Sequence, residues 1–118
     1  SGGARATLTV EPGVILFGSS GADYIVVNRG SQIVADGTAA SPIIFTSAND
    51  LNRQADSDPA NDLGGSLTAE WGGLVILGRA PINRCNTGGA TPGTAACQNA
   101  VEGVTNPDAL YGGAIAND

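Results

Sequence analysis

Histidine, lysine and methionine are all absent from this 118-residue chain. Without histidine, neither a Ser-His-Asp nor a Cys-His nucleophile can be assembled from its own residues. With only two cysteines as well, the chain cannot form a zinc site built on histidine or on four thiolates. Without lysine there is no Schiff base and no phosphate-loop lysine. Charged residues make up 14% of the chain, against about 25% in an average domain. No apolar run approaches the roughly 18 residues of a membrane-spanning helix, so membrane insertion is not expected. The glycines follow no strict three-residue period, which excludes a collagen-like chain. The net charge is −6 and the five cations, all arginine, are scattered. Nucleic-acid binding needs a basic surface to displace counterions, and so does adhesion to an anionic membrane; neither partner is expected. Any chemistry must rest on carboxylates, arginine, tyrosine or another chain. No cofactor is implied.

Turn residues and short apolar runs dominate what is present. Eighteen glycines are about twice the average share. The short runs Thr7–Val10, Val14–Phe17, Tyr24–Val27, Ile33–Ala35, Pro42–Thr46 and Leu74–Leu77 are bounded by Gly, Pro, Asn or Asp. Such runs of β-branched and large apolar residues read as short strands. No useful length keeps a helical apolar spacing, so little helix is expected. Val10-Glu11-Pro12-Gly13 is echoed by Val27-Asn28-Arg29-Gly30, 17 residues on, where Leu16 also matches Ile33 and Phe17 matches Val34. A repeated strand–turn–strand unit suggests stacked coils of a solenoid. A sandwich of antiparallel hairpins fits the same runs. Two long polar segments, 47–66 and 83–108, interrupt the pattern. Long loops are unusual inside a compact domain and natural on one side of a solenoid.

Two strings carry a family resemblance. Gly37-Thr38-Ala39-Ala40-Ser41-Pro42-Ile43-Ile44-Phe45-Thr46-Ser47 is one, and Trp71-Gly72-Gly73-Leu74-Val75-Ile76-Leu77-Gly78-Arg79-Ala80-Pro81-Ile82-Asn83 is the other. Together with the acidic loop between them, they resemble bacterial right-handed parallel β-helix surface proteins. The resemblance covers residues 7–83 and, more weakly, 102–118. It implies an all-β chain folded as a right-handed parallel β-helix over 1–118, an amino-terminal piece of a longer solenoid. It implies a secreted, cell-surface or outer-membrane location in a bacterium. It also implies a non-catalytic structural or adhesive role. Expected partners are further coils, or other copies meeting at strand edges, and a cell-surface glycan. The alternative is a polysaccharide-binding or polysaccharide-cleaving β-helix with its groove in coils outside this chain. A fold of this kind hosts unrelated functions, so the resemblance decides fold more than activity.

Candidate site residues follow, each with a competing reading. Cys85 and Cys97 are an even pair in a turn-rich loop; with the surface-protein resemblance they read as a disulfide. The alternatives are two thiols or half of a metal site. Asp56, Asp58 and Asp62, with Asp50 nearby, offer oxygen ligands suited to calcium. An EF-hand beginning at Asp56 would need Gly at Asn61 and Glu at Leu67, so that pattern fails, and a solvated loop fits equally. Trp71 either stacks on a sugar ring or packs over glycine backbone. Asp23, Asp36, Glu70 and Glu102 are carboxylates that a glycosidase-like pair would draw on, although no lyase or hydrolase signature surrounds them. Asp36-Gly37 reads more simply as a turn. Arg29 and Arg79 bond turn carbonyls, pair with aspartate or contact anionic sugars.

Overall fold

The computed structural model describes residues 4–53 and 68–114. Among the described residues, eight short strands and one short helix give an all-β fold: β1 (Thr7–Val10), β2 (Ile15–Gly18), β3 (Tyr24–Val27), β4 (Gln32–Ala35), β5 (Ile44–Ser47), α1 (Ala48–Arg53), β6 (Gly73–Ile76), β7 (Gln98–Ala100) and β8 (Leu110–Gly112). The strands sit where β-branched and aromatic residues cluster, because those side chains fit a pleated surface. Apart from β5, which runs into α1, they end within three residues of a glycine or proline that turns the chain.

The pairing has a simple rule. β1 bonds to β4, β2 to β5 and β3 to β6, so each strand meets the third one after it. β2 and β5 run parallel, with Ile15 opposite Ile44, Leu16 opposite Phe45 and Phe17 opposite Thr46. Paired residues in these two strands are therefore 29 apart, not 17. The 17-residue echo marks a different feature, the turn. Glu11–Val14 closes through Val14 N–H donating to Glu11 O at 3.3 Å, and Asn28–Ser31 through Ser31 N–H donating to Asn28 O at 2.9 Å. Gly13 and Gly30 stand third in these turns with φ of 82° and 81°. A left-handed φ at that place defines a type II turn and favours glycine. The same turn recurs at 87–90, 91–94 and 101–104.

Two features depart from an all-parallel coil. β7 and β8 are antiparallel, with Asn99 opposite Tyr111. The described residues also form no closed solenoid, so the strand order stands without a handedness. Within the long segment 47–66, Ser47 ends β5 and α1 follows it. Ser47 caps α1 by accepting the Asp50 N–H at 3.0 Å, satisfying one of the donors a helix start leaves open.

The chain divides into two compact units. One comprises residues 1–8, 26–33 and 75–118. Its buried side chains are Val27, Leu77, Cys97 and Ala109, and Leu77 N–H donates to Val27 O at 3.0 Å. The other comprises 9–25 and 34–74, where Val10 and Ser47 are buried. Several large apolar side chains remain exposed, led by Ile76 at 63% and Phe17 at 58%. No helix among the described residues is long and apolar enough to cross a membrane.

Candidate functional site: a carboxylate corner and a stapled loop

The second unit gathers three of the candidate carboxylates, Asp23, Asp50 and Glu70, at one corner. Gly18 and Ser47 end β2 and β5 side by side. A turn follows Gly18, and its organiser is Asp23. One oxygen of Asp23 accepts three donors: Ser19 N–H at 2.7 Å, Ser19 Oγ at 2.8 Å and Ser20 N–H at 3.0 Å. The Ser19 amide above all, then the Ser19 hydroxyl, holds this carboxyl below the usual carboxylate range. Donors aimed at a carboxylate favour its charged form. Asp23 also accepts the Gly72 N–H through its main-chain oxygen at 2.7 Å, which ties the Glu70–Gly73 segment to the turn.

Glu70 is held at both oxygens. Ser47 Oγ donates to Oε2 at 2.5 Å and Asn49 Nδ2 donates to Oε1 at 2.9 Å. Ser47 is only 5% exposed, and it accepts from α1 while donating to Glu70. Asp50 accepts a hydrogen bond from the Thr46 hydroxyl. These three carboxylates thus serve turn and cap hydrogen bonds. That differs from a catalytic pair, whose carboxyls must face each other across a bond to be cut. Asp36 and Glu102 are exposed, and Glu102 stands second in its own type II turn. No group of three or more acidic, cysteine or histidine side chains among the described residues could hold a metal ion. Asp56, Asp58 and Asp62 lie outside the described residues.

Trp71 is half-buried and sits directly over Gly18. A Cβ added to Gly18 would lie 2.4 Å from Trp71 Cβ, and one added to Gly72 would lie 3.0 Å from Tyr24 Cβ. The Trp-Gly-Gly string therefore encodes a close crossing of two backbones, and the ring base packs on glycine. Neither the Ser47–Glu70 bond nor the dependence of Gly18 on Trp71 was legible in the sequence. Both join positions more than 20 residues apart, beyond the reach of spacing arguments.

The first unit holds the stapled loop. Cys85 and Cys97 form a disulfide with their Cα atoms 4.8 Å apart, and Cys97 is completely buried. Around it, Asn86 N–H donates to Gln98 O at 2.8 Å and Gly93 N–H to Ile82 O at 2.9 Å. Arg29 reaches this region with two bonds. It donates to Gly112 O at 2.7 Å and to Gln98 Oε1 at 3.0 Å. Arg79 donates to Arg29 O at 3.4 Å. Both arginines thus bond carbonyl oxygens, as one of the sequence readings has it.

Strands paired at an offset of three, with β2 and β5 parallel, sharp glycine turns and a side loop define the class: a β-helix type of repeat module. A family model described as a pectate-lyase like beta helix domain matches residues 3–118, and the chain belongs to that family. No curated protein matches it. No solved structure matches it either.

Proposed function

We propose that this chain is a non-catalytic structural or adhesive module of a bacterial surface or secreted protein, coiled as a right-handed parallel β-helix. The strand edges carry this reading. Each of the four sheets has two strands, so each strand keeps one edge without a neighbouring strand among the described residues. Unpaired edges are templates for another strand. β2 adds apolar side chains to its edge, with Ile15 and Phe17 exposed on one face and Ile44 beside Ile15. Nothing on β2 opposes pairing, since it holds no proline or charge. Association end to end, with further coils or with a second copy, would cover both features. The segment 83–108 gives the module its lateral contact surface.

The alternative is a polysaccharide-binding or polysaccharide-cleaving β-helix whose groove lies in coils outside this chain. The family description, pectate-lyase like, favours it. The commitment of Asp23 to its turn and of Glu70 to the side chains of Ser47 and Asn49 argues against a groove at this corner. The exposed part of Trp71 would be a sugar platform on this reading, and calcium at the acidic loop would be its metal.

Sedimentation velocity over a hundredfold concentration range separates the two. The structural reading predicts concentration-dependent association that Phe17→Lys abolishes while the circular dichroism spectrum stays unchanged. A protein that stays monomeric throughout, and that binds or cleaves an acidic polysaccharide, would overturn it in favour of the second.

A further inference from the structure

We propose that Cys85 is a site of reversible thiolation: a small-molecule thiol attacks its sulfur and leaves a mixed disulfide there, while Cys97 is closed to the same reaction. The Cys85–Cys97 bond is one-sided. Cys97 is completely buried, at 0% exposure, whereas Cys85 is half-buried and keeps part of its surface in solvent. Thiol–disulfide exchange needs a thiolate to reach one of the two sulfurs, so access decides which is attacked. Of this pair only Cys85 offers access. Because Cys85 is itself half-buried, the thiol it admits is a low-molecular-weight one.

The wall around Cys97 is built largely from backbone. Cys97 N–H donates to Thr94 O at 3.0 Å, closing the turn that leads into it. Its Sγ lies 3.5 Å from Ile82 O. β8 passes so close that a Cβ added to Gly112 would lie 2.8 Å from Cys97 O and 2.7 Å from Ile82 Cδ1. The exchange needs nothing beyond the pair and one thiol. The incoming thiolate bonds to Cys85 Sγ as the Cys85–Cys97 bond breaks, and the electron pair goes to Cys97 Sγ, which takes a proton from solvent. One disulfide replaces another, so no oxidant is consumed. Apolar burial disfavours a thiolate, and the Ile82 carbonyl accepts from the Cys97 thiol but opposes its anion. Cys97 is therefore a slow leaving group. Once released it is held as the neutral thiol, which slows its return attack and gives the adduct on Cys85 a lifetime.

The test uses the full chain with its disulfide intact. It is incubated with 2-mercaptoethanol, once folded and once in denaturant, and exchange is stopped with acid. Mass spectrometry then counts the adduct, and peptide fragmentation between the two cysteines assigns it. In the folded chain the adduct should sit on Cys85 at least about tenfold more often than on Cys97. In denaturant the two sulfurs should react to within about threefold of each other, because neither is shielded. Equal adducts in the folded chain would overturn the site, since exchange would then pass through unfolding, and so would a preference for Cys97. No adduct at a thiol concentration that modifies the denatured chain would overturn it as well, whether the bond stays closed or is fully reduced. The readout is local to one bond, so it holds or fails independently of whether the module associates or binds a sugar.

Discussion

The disulfide gives the sharpest stability prediction. Cys85 and Cys97 are 12 residues apart, and cross-linking a loop of that size removes about 3 kcal/mol of unfolded-state freedom in the chain-entropy account. Cys85→Ser is the clean perturbation. It cuts the staple at the half-exposed end and leaves the fully buried Cys97 in place, so no cavity opens. The freed thiol lies 3.5 Å from Ile82 O, and its weak donor finds a partner there. A domain of this size has an unfolding entropy of about 0.25 kcal/mol/K, so the melting temperature should fall by about 12 °C. Differential scanning calorimetry measures the shift. Hydrogen exchange should place the added opening in residues 83–97. A fall of less than about 3 °C would refute the reasoning, because the loop would then be held by bonds such as Gly93 N–H to Ile82 O and not by the cross-link.

Four further outcomes follow from the packing. Gly18→Ala forces a Cβ to within 2.4 Å of Trp71 Cβ; it should cost about 1–3 kcal/mol and red-shift the fluorescence of the single tryptophan, and an unshifted spectrum would contradict the contact. Gly13→Ala has room, with Ser41 Cβ at 3.8 Å, so denaturant unfolding should show only the left-handed backbone cost of about 1–2 kcal/mol. Ser47→Ala removes both the cap of α1 and the donor to Glu70 and should cost at least about 1 kcal/mol by the same assay. Asp23 has a folded pKa below its ordinary 3.8, so its contribution is complete above that value and is lost as the pH falls through the folded value. The melting-temperature gap between wild type and Asp23→Asn should therefore close below pH 3.8, and a gap constant down to about pH 2 would contradict the assignment.

The strands were legible because local composition decides them. The runs at Thr7–Val10 and Tyr24–Val27 match β1 and β3 residue for residue, and the other four lie within two residues of β2, β4, β5 and β6 at every boundary. β7 and β8 escaped notice, since Gln98-Asn99-Ala100 and Leu110-Tyr111-Gly112 are three residues each and lack the apolar run that marks a strand. α1 escaped for a similar reason. Its six residues are too few to show a helical period, and the cap from Ser47 establishes it. The turn at Glu11–Val14 and its echo at Asn28–Ser31 were visible as sequence, but the echo was read as a stacking step. Turn chemistry is written in adjacent residues, whereas the register of Ile15 with Ile44 depends on where a distant strand lands. The corner residues were recognised singly, as Asp23, Glu70 and Trp71. Their mutual arrangement depends on glycines that allow backbones to cross closely, and spacing along the chain does not reveal that.

The stacking of strands at an offset of three underlies both the family fold and the proposed role. Backbone nuclear Overhauser contacts between β2 and β5 test it most directly. The account predicts contacts linking Leu16 with Phe45 and Phe17 with Thr46, in the parallel register. Contacts linking Leu16 with Ile33, the 17-residue echo, or an antiparallel pattern that brings Gly18 next to Ile44, would contradict it.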